Sequence, residues 1–273
     1  MRRLAFLAAI ALPAQPLKFF MAPDAVVEAR LRRIVNDNRA RAELLHQLFE
    51  EAGCTAPNLE DRKARGSKLF NVVCALPGET DDLVIVSAHY DKVKDGAGAV
   101  DNWTGASLLP SLFQGFSQVE KRKHTFLFIG FTDEEVGLVG SRAWVDEHRK
   151  TALGKVRAVV NIDSVATGPL LVWASRAHPS LLAAAERVAG AMKIPISGMN
   201  VDNVGDSDSA PFHAKKIPVI DCHSLTSETF KILHSPRDQL EAVKIDELLA
   251  TNRFLSAYLA VVDSLPPLPT GKP

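Results

Sequence analysis

Residues 83–105 read LVIVSAHYDKVKDGAGAVDNWTG. Leu83, Val84, Ile85 and Val86 form an apolar run that stops at His89; Asp91 follows, and a glycine-bearing loop leads to Asp101, where an apolar helical pattern begins. The stretch reads as a buried strand, a site loop and a helix start. It sets an imidazole and a carboxylate where the strand ends and another carboxylate at a helix N-terminus, all along one edge of a sheet. Later strand ends repeat the arrangement, and together they decide the fold.

On the N-terminal side, helical patterns over 24–35 and 38–52 come first, the second stopped by Gly53 in a C-cap position. Segments 69–76 and 83–88 are strand-like, and Pro77-Gly78-Glu79-Thr80 between them has a turn composition that predicts an antiparallel hairpin. On the C-terminal side, a helix over 103–116 precedes TFLFIGF at 125–131, whose lack of alternation is that of a strand covered on both faces. A helix over 138–149, strands over 156–162 and 170–174, a helix over 178–192, a strand over 217–221 and a helix over 245–265 complete the pattern. Strands alternating with helices specify an α/β three-layer sandwich: a mostly parallel, mixed central sheet with helices on both faces.

The chain has 273 residues of which 47% are hydrophobic, enough for one sizeable core, and no compositional shift marks a second domain. Its 32 basic and 32 acidic residues cancel, which removes the electrostatic footprint of a nucleic-acid or anionic-membrane binder. No apolar run approaches the ~20 residues of a membrane span, no solenoid repeat is visible, and we expect a monomer. Within 1–14, Arg2 and Arg3 precede LAFLAAIAL and then Pro13-Ala14, the layout of an export signal, with Leu12 where a small residue is preferred. The expectation is a signal peptide over 1–14, a catalytic domain over 15–273 and an exported, periplasmic or secreted location; an attached amphipathic helix is the alternative. Cys54 and Cys74 are placed so that a disulfide is geometrically possible, and two reduced, buried thiols are equally open; Cys222 reads as a small core or cavity-wall residue.

His89, the pair Glu134-Glu135 and Asp163 each follow a buried strand, at the carboxyl edge where open α/β sheets bind ligands. Asp101 opens a helix, and His234 lies in a loop after the last strand. Singly, each has an ordinary explanation as loop residue, N-cap or dipole partner. Together they form an oxygen-rich, imidazole-containing and cysteine-free set suited to two zinc-like ions, with a carboxylate available to bridge them. Adjacent side chains at a strand-to-helix turn diverge, so one glutamate can bind metal while its neighbour faces water, a division that suits a hydrolase.

SAHYD, GAVDNWTG, FTDEEVGLVGS, NIDS, SDSAPF and LHSPRD, in this order over 71–239, resemble the zinc aminopeptidase family of the bacterial leucyl aminopeptidases, with relatives among glutamate carboxypeptidases and glutaminyl cyclases. The resemblance implies peptide substrates and two zinc ions: His89 and Asp163 on one, Glu135 and His234 on the other, Asp101 on both. It makes Glu134 the general base and Asp91 the partner that orients His89. The chain departs from the family at Ser207-Asp208-Ser209, where relatives often carry Ser-Asp-His, and neither Tyr90 nor Tyr258 lies where some relatives place an oxyanion tyrosine. His213 and His223 receive no role.

Two other functions stay open. A glutaminyl cyclase would use a single zinc, but cyclases of that group tend to carry Trp before the last histidine and an insertion after the glutamate pair. Leu233 and the uninterrupted EEVGLVGS favour the peptidase. A metal-free binding module of the same fold would be expected to have lost members of the ligand set. Asn102-Trp103-Thr104 has sequon spacing, but a glycan there would obstruct the site. Gly205–Ser209 lacks the second glycine of a serine-hydrolase elbow, and Gly96-Ala97-Gly98 reads as slack in the loop carrying Asp101.

Overall fold

The computed structural model describes residues 18–202 and 205–268, so the leader-like segment 1–14 lies outside the described residues. Helices α1 (Asp24–Arg32) and α2 (Asn38–Glu51) precede β1 (Leu59–Lys63), β2 (Phe70–Leu76) and β3 (Leu83–His89). They are followed by α3 (Thr104–Phe116), β4 (Thr125–Phe131), α4 (Val139–Glu147), β5 (Val156–Ile162), β6 (Leu170–Val172) and α5 (Pro179–Met192). Then come β7 (Ile196–Gly198), α6 (Ala210–His213), β8 (Val219–His223) and α7 (Ile245–Ser264). Local chemistry starts the helices where expected: the Asp37 side chain accepts from Ala40 N to cap α2, and His178 caps α5 ahead of Pro179 in its first turn.

The eight strands form one sheet in the order β1-β2-β4-β3-β5-β8-β6-β7. Its centre, β4-β3-β5-β8, is parallel; β1 pairs antiparallel with β2, β2 with β4 and β6 with β8, and β7 runs parallel to β6. Side chains of the central strands alternate between two cores. Val84, Val86, Phe126 and Phe128 enter the larger one with α1, α2, α3, α5 and α7, whereas Leu83, Ile85, Ile129 and Phe131 enter a smaller one with Trp144 of α4 and Phe212 of α6. Helices therefore cover both faces, and the fold is the expected three-layer α/β sandwich. Burial on both faces is why β3 and β4 are continuously apolar.

The hairpin expected between 69–76 and 83–88 does not form: β4 lies between β2 and β3, pairing antiparallel with the first and parallel with the second. The connecting residues bond to the chain entering β4 instead, with Glu79 N donating to Arg122 O (2.7 Å), Thr80 N to Lys123 O (2.9 Å) and Thr125 N to Asp82 O (2.9 Å). A turn composition reverses the chain without choosing a partner. TFLFIGF, with aromatic side chains on both faces, takes the interior place because it needs a neighbour on each edge. Strand β8 lies two residues later than the expected 217–221, and the short elements β1, β7 and α6 were not anticipated.

Gly96-Ala97-Gly98 is not slack. Gly96 has φ +70, and a Cβ there would collide with the carbonyl oxygen of Ser235. Cys54 and Cys74 form a disulfide that joins the end of α2 to β2, while Cys222 is free and buried. Among the described residues no helix is long and apolar enough to cross a membrane.

Candidate metal centre

The carboxyl ends of three adjacent parallel strands set the site. His89 is the last residue of β3, Asp163 follows β5, and Glu134 and Glu135 follow β4 through Asp133, which sits at φ 52. Ser164 (φ 54) and His234 (φ 51) also occupy the left-handed region. Such conformations cost on the order of 1–3 kcal/mol each in a non-glycine residue and persist only where the surroundings over-determine them. Here they turn the chain sharply enough to aim neighbouring side chains at one point.

Two groups of donor atoms result, His89 with Asp101 and Asp163, and Asp101 with Glu135 and His234. His89 Nε2 lies 3.2 Å from Asp101 Oδ1 and 3.5 Å from Asp163 Oδ1. His234 Nε2 lies 3.2 Å from Asp101 Oδ2 and 2.8 Å from Glu135 Oε2. Asp101 thus offers one oxygen to each group. Glu135 Oε1 is buried without a hydrogen-bond partner. Imidazole and carboxylate atoms converging at these distances, with an orphaned carboxylate oxygen among them, are a donor set that fits two zinc ions.

Asp91 does more than the resemblance implies. His89 Nδ1 stands 3.2 Å from its carbonyl oxygen and 3.5 Å from its carboxylate, which accepts from the backbone amides of Glu134 (3.0 Å) and Glu135 (3.2 Å). One carboxylate therefore holds the glutamate turn against the end of β3.

The electrostatics of the metal-free cluster follow from burial among like charges. Burial opposes the charged form of His89, but Glu134 and Asp163 overcome it and raise its pKa well above the ordinary value. Burial likewise opposes ionisation of Asp101, yet the two imidazoles hold its carboxyl well below the usual range. Burial, reinforced by Asp163, Asp208 and Asp101 against the pull of His89, pushes Glu134 up to about 10. Burial and Asp101 bring Glu135 to about 7. The hydrogen bond to Asp101, together with the charge of Glu135, overcomes partial burial and raises His234 to about 9.

Metal ligands must be deprotonated, so zinc uptake has to displace the protons on His89, His234 and Glu135. Below a ligand's pKa that displacement weakens binding. Zinc affinity should therefore rise with pH through the interval set by Glu135, at about 7, and His234, at about 9. Chelator-competition titrations of the metal-free chain across that interval measure it, and a flat affinity contradicts the protonated cluster.

Two further acids matter that the sequence reading passed over, although both lie inside motifs it quoted. Asp208 of SDSAPF is buried, and burial with Asp91 and Asp163 nearby raises it to about 7 against the pull of His89 and Ser141. Asp238 of LHSPRD is buried beside Asp101. Ser209, where relatives often have histidine, donates to Asp221 Oδ2 (2.7 Å), as Ser207 does to Oδ1 (2.7 Å). His223 is buried: its Nδ1 accepts from Leu225 N and its Nε2 donates to Met199 O, and burial lowers its pKa. His213 is exposed. Asn102 donates its side-chain amide to Ile162 O from a fully buried position, which leaves no room for a glycan.

A cavity of about 290 Å³ opens onto the cluster, lined by Asp101, Glu134, Glu135, Asp163 and His234 together with Trp173, Val201, Cys222, Leu225, Phe230 and Leu233. The lining also includes Ser164, Asp206, Ser207, Asp221 and His223, so the cavity sets an apolar wall against a strongly polar one.

A model described as "Peptidase family M28" matches residues 71–259. Aminopeptidase YwaD of Bacillus subtilis is 29% identical over 184 residues, covering 64% of this chain and 40% of the relative's length. The solved structure of BSAP, a zinc aminopeptidase from Bacillus subtilis, superposes with a TM-score of 0.64 at 25% identity, over 70% of this chain and 50% of that one. A glutaminyl cyclase from an Acidobacteriales bacterium superposes with a TM-score of 0.73 at 15% identity, over 94% of this chain and 99% of that one, a likeness of fold.

Proposed function

From the premise that the chain belongs to peptidase family M28, we propose that it is a zinc-dependent aminopeptidase that releases N-terminal residues from peptides. The observation that carries this reading is the position of Asp101, whose two oxygens stand 3.2 Å from His89 and 3.2 Å from His234. A carboxylate shared in this way supports two ions, with His89 and Asp163 completing one ligand set and Glu135 and His234 the other. When bound, the ions would lower the pKa of a water molecule and polarise the scissile carbonyl.

The chain's own groups do the rest. Glu134 lines the cavity and belongs to neither donor group, so its carboxylate is free to take a proton from the attacking water and return it to the leaving amine. In the metal-free cluster burial, with Asp163, Asp208 and Asp101 around it, holds the proton on Glu134; added cations would oppose that. Asp91 keeps Glu134 and Glu135 in register through their backbone amides. Trp173, Val201, Leu225, Phe230 and Leu233 offer an apolar wall for the side chain of the N-terminal residue.

The test is to incubate the purified protein with leucyl peptides, their N-acetylated and C-terminally blocked forms, and glutaminyl peptides, and to follow products by mass. Loss of one N-terminal residue from every peptide with a free N-terminus, C-terminally blocked ones included, and from no acetylated one, abolished by a chelator, is the expected result. Cleavage that ignores acetylation but requires a free carboxylate would make it a carboxypeptidase. Loss of ammonia from glutaminyl peptides would make it a cyclase, and no product from any peptide a binding module.

A further inference from the structure

The loop that brings Asp101 to the site is gripped along both edges of its backbone. On one edge, the buried Asp238 carboxylate accepts from Val100 N (2.7 Å) and Asp101 N (3.2 Å), and the Asp238 carbonyl accepts from Ala97 N (2.7 Å). On the other, the fully buried Arg41 guanidinium donates to the carbonyls of Ala97 and Gly98, and also to Tyr90 O (3.0 Å), next to His89. Amides go to an anion and carbonyls to a cation, so the loop is held by charge-assisted bonds on both sides.

Asp238 also belongs to the segment that delivers His234. Its own amide donates to Ser235 O (3.0 Å), which closes a short turn behind the histidine. Gly96 packs against the same turn so closely that a Cβ would collide with Ser235 O. The His234 side chain is 58% exposed, so burial does not fix it in place. What ties its segment to the rest of the centre is the contact of 235–238 with 96–101.

We propose that Asp238 is a positioning residue of the metal centre: it clips the His234 segment to the backbone of Asp101, so that the two side chains face the same ion. This rests on the two-metal reading above. Asp238→Asn keeps the shape and one acceptor oxygen but sets a donor against one of two backbone N–H groups. With the clip weakened, the ion shared by Asp101, Glu135 and His234 should bind at least tenfold more weakly, and the ion at His89 and Asp163, which loses no ligand segment, should weaken less.

The experiment measures zinc stoichiometry and chelator-competition affinity for metal-stripped wild type, His234→Ala, Asp238→Asn and Gly96→Ala, alongside melting of each metal-free protein. Gly96→Ala pushes the same two segments apart, through Ser235 O and the Cβ and carbonyl of Asp238, while leaving the Asp238 carboxylate and every ligand unaltered, and decides alone if Asp238→Asn does not fold. The expected result is that both variants lose the ion that His234→Ala loses. A folded Asp238→Asn that keeps this ion at wild-type affinity, whatever its metal-free melting temperature, overturns the clip as a positioning device. If His234→Ala itself loses no ion, the two-metal reading fails and the clip fails with it.

Discussion

Glu134→Gln should leave fold and zinc content unchanged while turnover on leucyl peptides falls by about 10²–10⁴-fold, the usual contribution of a positioned general base. Glutamine fills the same volume in a cavity-lining position but cannot carry a proton from water to the leaving amine. Neither donor group includes Glu134, and the bond that holds its turn runs from its backbone amide to Asp91, so the substitution disturbs neither ligands nor local structure. Burial among Asp163, Asp208 and Asp101 makes Glu134 take up a proton on folding, a cost at neutral pH that the already neutral glutamine does not carry, so the metal-free protein should melt no lower than wild type. The neighbouring Glu135→Gln is the internal control, because it touches a ligand and should weaken zinc binding. Turnover retained by Glu134→Gln at full zinc content would remove Glu134 as the base.

Asp101→Ala should strip both ions, leaving less than one zinc per chain, where His89→Ala or His234→Ala should lose about one each. Among the described residues Asp101 is the member common to both donor groups. Its oxygens point in opposite senses, Oδ1 towards His89 and Oδ2 towards His234. Alanine is the informative replacement, since asparagine would retain an oxygen donor for one of the ions. The loop should survive, because Asp238 and Arg41 hold it through backbone groups that alanine keeps. Elemental analysis after dialysis reads the outcome, and two zinc ions retained by Asp101→Ala would refute the bridging role. Loss of the metal centre should abolish turnover in the same variant, so activity and zinc content are expected to fall together.

These effects were open to prediction because the ligand types are legible in order along the chain. A strand buried on both faces has to be largely apolar, so LVIV and TFLFIGF announce themselves, and the sheet edge where His89 and the Glu134-Glu135 turn emerge follows within three or four residues of each. Asp163 after β5 follows the same rule. Helix starts are equally local, since Asp37 and Pro179 act within a single turn.

What the sequence by itself determined was therefore the longer elements, the α/β class and the residue types brought to one edge, all consequences of interactions within a few residues. Only the tertiary structure decided the rest. It placed β4 between β2 and β3, a choice set by which strand needs neighbours on both edges and invisible in the turn that precedes it. It admitted β1, whose LEDRK buries one side chain and reads as loop until β2 supplies its hydrogen bonds. It brought Asp91 to the amides of Glu134 and Glu135, and Asp238 to the amides of Val100 and Asp101, across 43 and 138 residues of chain. Hydrogen bonds of that kind leave no periodicity in a sequence, because a carboxylate finds buried N–H groups through space only after the sheet has brought their segments together.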